Sequence, residues 1–154
     1  MPEYLLVKTE EEYKQAIILF EEYATWLAID LGFQHFDEEL QNLKAMYNSA
    51  DGGIILCKKG KGYVGCVAVR RITANIAELK RMYVQPAQQQ KGIGKNLLLQ
   101  AIALAVNCNY QYIRLDTLSH MMPAINLYKK YGFYEIAPYY NNPVSTAVYF
   151  EKEL

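Results

Sequence analysis

The chain has 154 residues, of which 52% are hydrophobic and 21% are charged. This composition predicts one globular domain with a buried core and excludes a disordered chain or a long coiled coil. The 16 lysines and arginines balance the 16 aspartates and glutamates. No overall positive field therefore favours nucleic acid as a partner, and any anion-binding site has to be local.

The cysteines and histidines do not predict a metal site. Cys57, Cys66 and Cys108 are widely spaced and each lies in an apolar run. We therefore expect buried free thiols in a reducing compartment rather than a metal or redox centre. Because His35 and His120 are the only histidines, a histidine-based zinc site is not expected.

The sequence shows neither a leader nor a membrane segment. The first residues, "MPEYLLVKTEEE", lack a basic start followed by an apolar core, so no secretory signal is expected. The most apolar helical run, residues 96–106, is shorter than the ~20 residues that span a bilayer. We expect a soluble, cytoplasmic protein that does not bind membranes.

The amino-terminal third predicts one strand and two helices. A short strand is predicted over residues 4–8. Apolar residues then recur every three or four positions over residues 11–32, with acids at the amino end, which predicts a helix that ends at Gly32. A second helix is predicted over residues 37–47, with Asp37 as its N-cap.

The rest of the chain predicts a mixed sheet. Three strands joined by short turns form a meander over residues 53–59, 62–71 and 76–84. The later elements alternate as helix, strand, helix and two strands, over residues 94–108, 112–118, 122–132, 133–138 and 145–154. This order predicts an α/β or α+β domain.

The stretch "QQQKGIGKN", residues 88–96, lies between a predicted strand and a predicted helix. Its glycines are consistent with a plain tight turn, or with a site where a phosphate reaches the unpaired amides of a helix amino terminus. No segment fits the P-loop pattern, and Leu97 stands where a dinucleotide fingerprint needs a third glycine. The turn alone favours a phosphate without identifying the ligand.

Two longer stretches resemble the GNAT superfamily of acyl-CoA dependent N-acetyltransferases. In "QQKGIG" the chain matches the family pattern [RQ]-x-x-G-x-[GA], after a strand that ends in hydrophobic-x-Pro. The family's A-x-x-L-Y-x-x-x-G-F is matched by Ala124, Leu127, Tyr128, Gly132 and Phe133. The resemblance covers residues 53–152 closely and the preceding helices loosely. Gln90 departs from a frequent glycine, and Met121 departs from an asparagine that contacts the cofactor in many members.

The resemblance implies the fold and the reaction. It implies a single GNAT domain over residues 1–154, in which a mostly antiparallel, twisted sheet of about seven strands is splayed in the middle and flanked by about four helices. It implies that acetyl-CoA, without a metal, donates an acetyl group to a primary amine of a small molecule or peptide. The amine would attack directly through a tetrahedral intermediate. A homodimer would also fit, since many relatives form dimers.

The resemblance also implies a cofactor site made largely of backbone. The amides of the glycine turn would bind the CoA pyrophosphate, and the residues concerned are Gln89, Gln90, Lys91, Gly92, Ile93, Gly94 and Lys95. The main chain of Met82, Tyr83 and Val84 would pair with the pantetheine as an added strand at an open sheet edge. A backbone N–H near Tyr83 would stabilise the oxyanion.

Two side chains match the catalytic positions of the family. An alkylamine has a pKa near ~10.4, so a base must supply its neutral form, and Glu78 resembles the glutamate that several members use. The alternative is that Glu78 pairs with Lys80 or Arg81. Tyr128 matches the tyrosine that protonates the departing thiolate, and the alternative is aromatic packing.

The acceptor site is expected between the first two helices and the late strands. The candidates there are Trp26, Phe33, Gln34, Tyr139 and Tyr140, and the site could also be lined by Tyr23, His35 and Asn142. Packing is the alternative for each of them, while an aromatic wall would suit a cationic amine. An acyl-CoA sensor without turnover, and a donor other than acetyl-CoA, stay open as alternatives.

Overall fold

The computed structural model describes the backbone of residues 1–154 and every side chain except that of Phe33. The strands are β1 (Pro2–Leu6), β2 (Gly53–Lys59), β3 (Gly62–Arg71), β4 (Ile76–Val84), β5 (Tyr112–Leu118), β6 (Tyr134–Ile136) and β7 (Ala147–Glu153). The helices are α1 (Glu10–Leu27), α2 (Phe36–Gln41), α3 (Leu43–Met46), α4 (Ile93–Asn107) and α5 (Met122–Lys130). Short 3₁₀ helices lie at Leu31–Gln34 and Pro86–Gln88.

The strands form one sheet in the order β1-β2-β3-β4-β5-β7-β6. All neighbouring strands are antiparallel except β4 and β5, which are parallel. One hydrophobic core lies between the sheet and α4 and α5, and a second lies between the opposite face and the first three helices. The predicted mixed, mostly antiparallel sheet with helices on its faces is confirmed.

The two central strands separate halfway along their length. β4 and β5 are paired from Ile76↔Tyr112 to Glu78↔Arg114 only. Beyond this point β4 continues to Val84 while β5 stays paired with β7 as far as Leu118. In the described backbone, residues 79–84 of β4 therefore present an edge without a strand partner towards β5. The predicted splay is confirmed.

A bulge bends β4 at this opening. Cys66 of β3 pairs with Tyr83 of β4, and the next pair is Ala68 with Lys80. Between these pairs β3 advances by two residues and β4 by three, so β4 contains one extra residue. Arg81 lies in the extra step and has a left-handed backbone with φ of 58°. Since a bulge bends its strand and redirects side chains, it changes which residues of β4 face the opening.

Two helix predictions were wrong. Helix α1 ends at Leu27 instead of Gly32, because Ala28 takes a left-handed conformation and Asp30 then accepts a hydrogen bond from the Gly32 N–H at 2.8 Å. The separate 3₁₀ turn that follows contains Gln34.

The helix predicted over residues 37–47 is interrupted at Asn42, which gives α2 and α3. The Asn42 side chain donates to the Glu38 carbonyl at 3.0 Å, a bond that competes with continuing the helix. The residue that precedes α2 is His35, so the prediction that Asp37 is the N-cap was also wrong.

The sequence predicted that the three cysteines are buried free thiols and that its most apolar helix is too short to span a bilayer. All three cysteines are free thiols; Cys57 and Cys66 are buried, while Cys108 is only partly buried. Across the described residues, no helix combines the length and apolar character needed to cross a membrane.

Candidate active site

A cleft of ≈ 570 Å³ opens where β4 and β5 separate. Strands β4 and β5 form its sides, and residues from α1, the first 3₁₀ turn, the start of α4 and α5 complete its walls. The volume is in the range of small-molecule sites. The separation of the two strands thus creates a cavity that contains both the glycine turn and the open edge of β4.

Most residues predicted to bind the cofactor line this cleft. They are Met82, Tyr83, Val84, Gln89, Gln90, Gly92, Gly94 and Lys95. Lys91 and Ile93 are not among the described lining residues: the Lys91 ammonium lies 3.5 Å from the Gln88 side chain, and the Ile93 side chain is buried in the core. Ile93 can therefore contribute only its backbone amide.

The turn before α4 depends on left-handed backbone. Gly92 is the N-cap, with φ of 82° and no side-chain cap, so the first amides of α4 have no acceptor within the helix. A Cβ at Gly92 would meet no described atom within 4 Å, so conformation rather than crowding favours glycine here. Gln90 also has a positive φ, 63°, which explains why glycine is frequent at this position: a side chain there costs roughly 1–2 kcal/mol.

Tyr128 lies on α5 and also lines the cleft. Its ring packs against Phe133 and Phe150, with centroids 5.7 and 6.4 Å away. Burial raises the pKa of Tyr128, and Tyr23 and Asp116 raise it further. The phenol therefore stays protonated at neutral pH. The ring makes the aromatic packing contacts that one interpretation predicted. Tyr128 also lines the cavity, as a residue that protonates the leaving thiolate has to.

Glu78 is buried behind the cleft and is engaged at both oxygens. Its Oε1 accepts from Arg70 Nε at 2.8 Å, and its Oε2 accepts from the Tyr139 hydroxyl at 2.6 Å. Burial alone would raise the pKa of Glu78, but the cations of Lys80 and Arg70 outweigh it, so the pKa is lowered. Arg70 is the cross-strand neighbour of Glu78, and sequence reasoning missed it because the strand register was not known.

The predicted acceptor residues divide between the cleft and the layer behind it. Trp26 and Gln34 line the cleft, together with Tyr23 and Asn142. Tyr139 contacts Glu78, and the Tyr140 hydroxyl donates to Asp116 at 2.6 Å. His35 is exposed at the start of α2, and the side chain of Phe33 lies outside the described residues.

Sequence reasoning did not propose three charged residues that line the cleft: Lys80, Arg81 and Asp116. Lys80 and Asp116 each lie two residues beyond the last β4–β5 pair, Glu78↔Arg114. Because side chains two residues apart share a face of a strand, both point to the face that carries Glu78 and Arg114. The available signal was a charge at every second position in "ELK" and "RLD", within otherwise apolar strands.

Arg81 is held by helix α2. Its guanidinium makes two hydrogen bonds with Glu39, at 2.7 and 3.0 Å, and donates to Gln34 Oε1 at 2.7 Å. Glu39 is fully buried and also accepts from the Tyr47 hydroxyl at 2.9 Å. Such a bidentate pair is geometrically specific. It fixes the bulged part of β4 against α2 and the 3₁₀ turn that precedes it.

Lys80 and Asp116 have weaker partners. The Lys80 ammonium lies 3.5 Å from Gln34 Oε1 and 3.9 Å from Glu78 Oε1. Burial, reinforced by Arg81, lowers the pKa of Lys80. Burial raises the pKa of Asp116, against the hydrogen bond from Tyr140, which lowers it. Among the described residues, Lys80 and Asp116 thus line the same part of the cleft without an opposite charge at hydrogen-bond distance.

Known proteins resemble the chain over most of its length. The model of the Acetyltransferase (GNAT) family matches residues 17–133. An uncharacterized N-acetyltransferase of Schizosaccharomyces pombe is 33% identical over 150 residues, which cover 96% of this chain and 92% of that protein.

Solved structures share the fold at lower identity. An acetyltransferase from Streptococcus agalactiae superposes with a TM-score of 0.82 at 20% identity, covering 99% of this chain and 98% of its own. The PaiA N-acetyltransferase from Thermoplasma acidophilum, solved in complex with coenzyme A, has a TM-score of 0.76 at 19% identity, covering 100% and 99%.

Proposed function

Because the chain belongs to the GNAT family of acetyltransferases, we propose that it transfers an acetyl group from acetyl-CoA to a primary amine of a small molecule or peptide. The main support is the cleft between β4 and β5, which brings the glycine turn, the free edge of β4 and Tyr128 to one cavity. A protein of the same fold has been solved with coenzyme A.

The residues of the cleft fit CoA. The uncapped start of α4 offers amides and the positive end of the helix dipole to a pyrophosphate, and Lys95 adds a cation beside them. The free edge of β4 offers the main chain of residues 82–84 to the pantetheine amides, as in the addition of a strand. Both contacts use backbone, so they select the shared part of CoA rather than a particular acyl group.

The reaction needs three balanced steps at the thioester. The ammonium of the acceptor loses one proton, and its nitrogen bonds to the carbonyl carbon as a carbonyl electron pair moves to oxygen. When the intermediate collapses, the carbon–sulfur bond breaks with its electron pair going to sulfur, and the nitrogen loses its second proton to give the amide. A backbone N–H near Tyr83 would stabilise the oxyanion of the tetrahedral intermediate. The Tyr128 hydroxyl, kept protonated by its raised pKa, would donate to sulfur as negative charge develops there.

Glu78, predicted as the base, already accepts one hydrogen bond at each oxygen, from Arg70 and from Tyr139. Its lowered pKa also makes it a weaker base. The hydrogen bonds support a different contribution, in which Glu78 holds Arg70 and Tyr139 behind the proposed acceptor end of the cleft. This end is lined by Gln34, Lys80, Arg81 and Asp116. Its role as base stays a prediction.

The proposal is tested by incubating the protein with acetyl-CoA and a library of primary amines while free thiol is measured. We expect thiol release that depends on the amine, above the hydrolysis seen without an amine. Propionyl-CoA and succinyl-CoA, assayed in parallel, identify the preferred donor. If acetyl-CoA binds but no amine supports turnover, the transferase proposal fails and a non-catalytic acyl-CoA binding module takes its place.

A further inference from the structure

The charges around the acceptor end of the cleft pair up incompletely. Arg81 is neutralised by Glu39, and Arg70 is neutralised by Glu78, both at hydrogen-bond distance. The Lys80 ammonium has only a looser ion pair, 3.9 Å from the Glu78 oxygen that already holds Arg70. Asp116 has no cationic partner within ion-pair distance among the described residues. The described residues show no ion pair between these two, and both line the cleft.

The Lys80 ammonium has few hydrogen-bond acceptors within the described chain. Only 9% of Lys80 is exposed, and its three N–H donors have a single hydrogen bond within the described chain, at 3.5 Å to Gln34 Oε1. A buried ammonium without good hydrogen bonds costs free energy that an incoming anion would recover. The cleft wall thus carries a cation that is ready to bind a small anion.

Asp116 is the complementary carboxylate. Its Oδ2 accepts from Tyr140 at 2.6 Å, and no hydrogen bond among the described residues uses its Oδ1. Tyr140 is itself held by the Gln34 and Asn142 amides, each at 3.0 Å. The carboxylate is therefore fixed in place with one oxygen left to receive a ligand.

We propose that the acceptor is an amine that also carries an anionic group, a carboxylate or a phosphonate. The proposal rests on the transferase function above. Asp116 binds the ammonium and accepts its proton, and Lys80 binds the anion. Such a ligand adds no net charge to the cleft, whereas a simple alkylammonium would add a positive charge and leave the Lys80 ammonium without an anion.

The proton transfer follows from this placement. The ammonium gives one proton to the free oxygen of Asp116, and the nitrogen keeps the electron pair that bonds to the thioester carbon. On collapse of the intermediate the nitrogen loses its second proton to water, and the sulfur leaves with the electron pair of the broken bond and takes a proton from Tyr128. Asp116 therefore acts on the nucleophile, while Tyr128, on the α5 wall, serves the leaving group.

A matched substrate series tests the anion subsite. An amino acid, its amide, its decarboxylated amine and the corresponding aminoalkylphosphonate are compared by kcat/KM with acetyl-CoA. We expect kcat/KM for at least one of the two substrates with an anionic group to exceed that of both substrates without one by tenfold or more. The ratio of kcat/KM between the carboxylate and the phosphonate identifies the preferred anion. Equal or better turnover of the substrates without an anionic group overturns this inference but leaves the transferase function intact. No turnover of any amine refutes the transferase function itself.

Variants assign the two charges. Lys80→Met should bring the ratio of kcat/KM between substrates with and without an anionic group close to one. Lys80→Arg should retain most of this preference, and Lys61→Met, at an exposed position, should leave it unchanged. Asp116→Asn should lower kcat by about 10²-fold with little change in KM for acetyl-CoA. Acetyl-CoA binding by each variant checks that it is folded. An unchanged ratio in Lys80→Met, or an unchanged kcat in Asp116→Asn, removes that residue from the proposal.

Discussion

The two ends of the cleft are built from different parts of the chain. At the end proposed to hold the cofactor, the cofactor end, the lining residues come from two short neighbouring segments, residues 82–84 and 89–95 without Lys91 and Ile93. At the proposed acceptor end, the charged and hydrogen-bonded groups are side chains from the first 3₁₀ turn, α2, β4, β5 and the loop that follows β6. A backbone site tolerates side-chain changes and suits a cosubstrate shared by a family. A side-chain site depends on each residue and suits a substrate that differs between members.

The largest effect is expected for the framework of the acceptor end. Glu39→Ala would leave the buried Arg81 guanidinium without its carboxylate, which costs about 3–5 kcal/mol of unfolding free energy. Urea denaturation measures this loss. Tyr47→Phe is the matched control, since it removes one hydrogen bond to the same carboxylate and should cost about 1 kcal/mol. A similar small loss in both variants would show that the ion pair does not hold this end of the cleft.

The next effect concerns Tyr128, on the α5 wall. Tyr128→Phe keeps the packed ring but removes the hydroxyl, so we expect kcat to fall by about 10²-fold while the free energy of unfolding changes little. Tyr131→Phe, at the carboxyl end of the same helix, is the control and should keep the wild-type rate. If Tyr128→Phe is as active as the wild type, the tyrosine has only a packing role.

A pH series tests the carboxylate behind the acceptor end. The folded-state pKa of Glu78 lies below its ordinary 4.5, so its stabilisation is present above that value and is lost as pH falls through the lowered pKa. Glu78→Gln should therefore cost about 1–3 kcal/mol at pH 7. The difference between wild type and variant should shrink in acid, as measured by urea denaturation between neutral pH and the acid limit. A pH-independent difference would show that the lost charge is not its cause.

The smallest effect is expected in the backbone of the cofactor end. Gly92→Ala and Gly60→Ala both place a Cβ at a positive φ, 82° and 63°, where no described atom lies within 4 Å. Each should cost about 1–2 kcal/mol of stability. Only Gly92→Ala should weaken CoA binding, by about tenfold in Kd, because Gly60 lies in the β2–β3 turn. Calorimetric titration with CoA distinguishes them, and equal affinities would rule out the glycine turn as the phosphate site.

Local patterns in the sequence predicted much of the fold. The strand bounds 53–59, 62–71, 76–84 and 112–118 agree with the structure, because apolar segments between turn residues are local signals. The end of α1 and the break at Asn42 were missed. In both places a side-chain hydrogen bond stabilises a stop that the apolar spacing does not reveal.

The sequence by itself determined the family and the order of the strands along the chain, and it singled out the glycine turn that lines the cleft, since these depend on contiguous motifs such as "QQKGIG". Only the tertiary structure decided which charges meet. Glu39 and Arg81 are 42 positions apart, and Lys80 and Asp116 flank the same cavity because β4 and β5 are parallel neighbours that separate after Glu78. Pairing between distant charges depends on sheet register and on the bulge in β4, neither of which is encoded in any short segment.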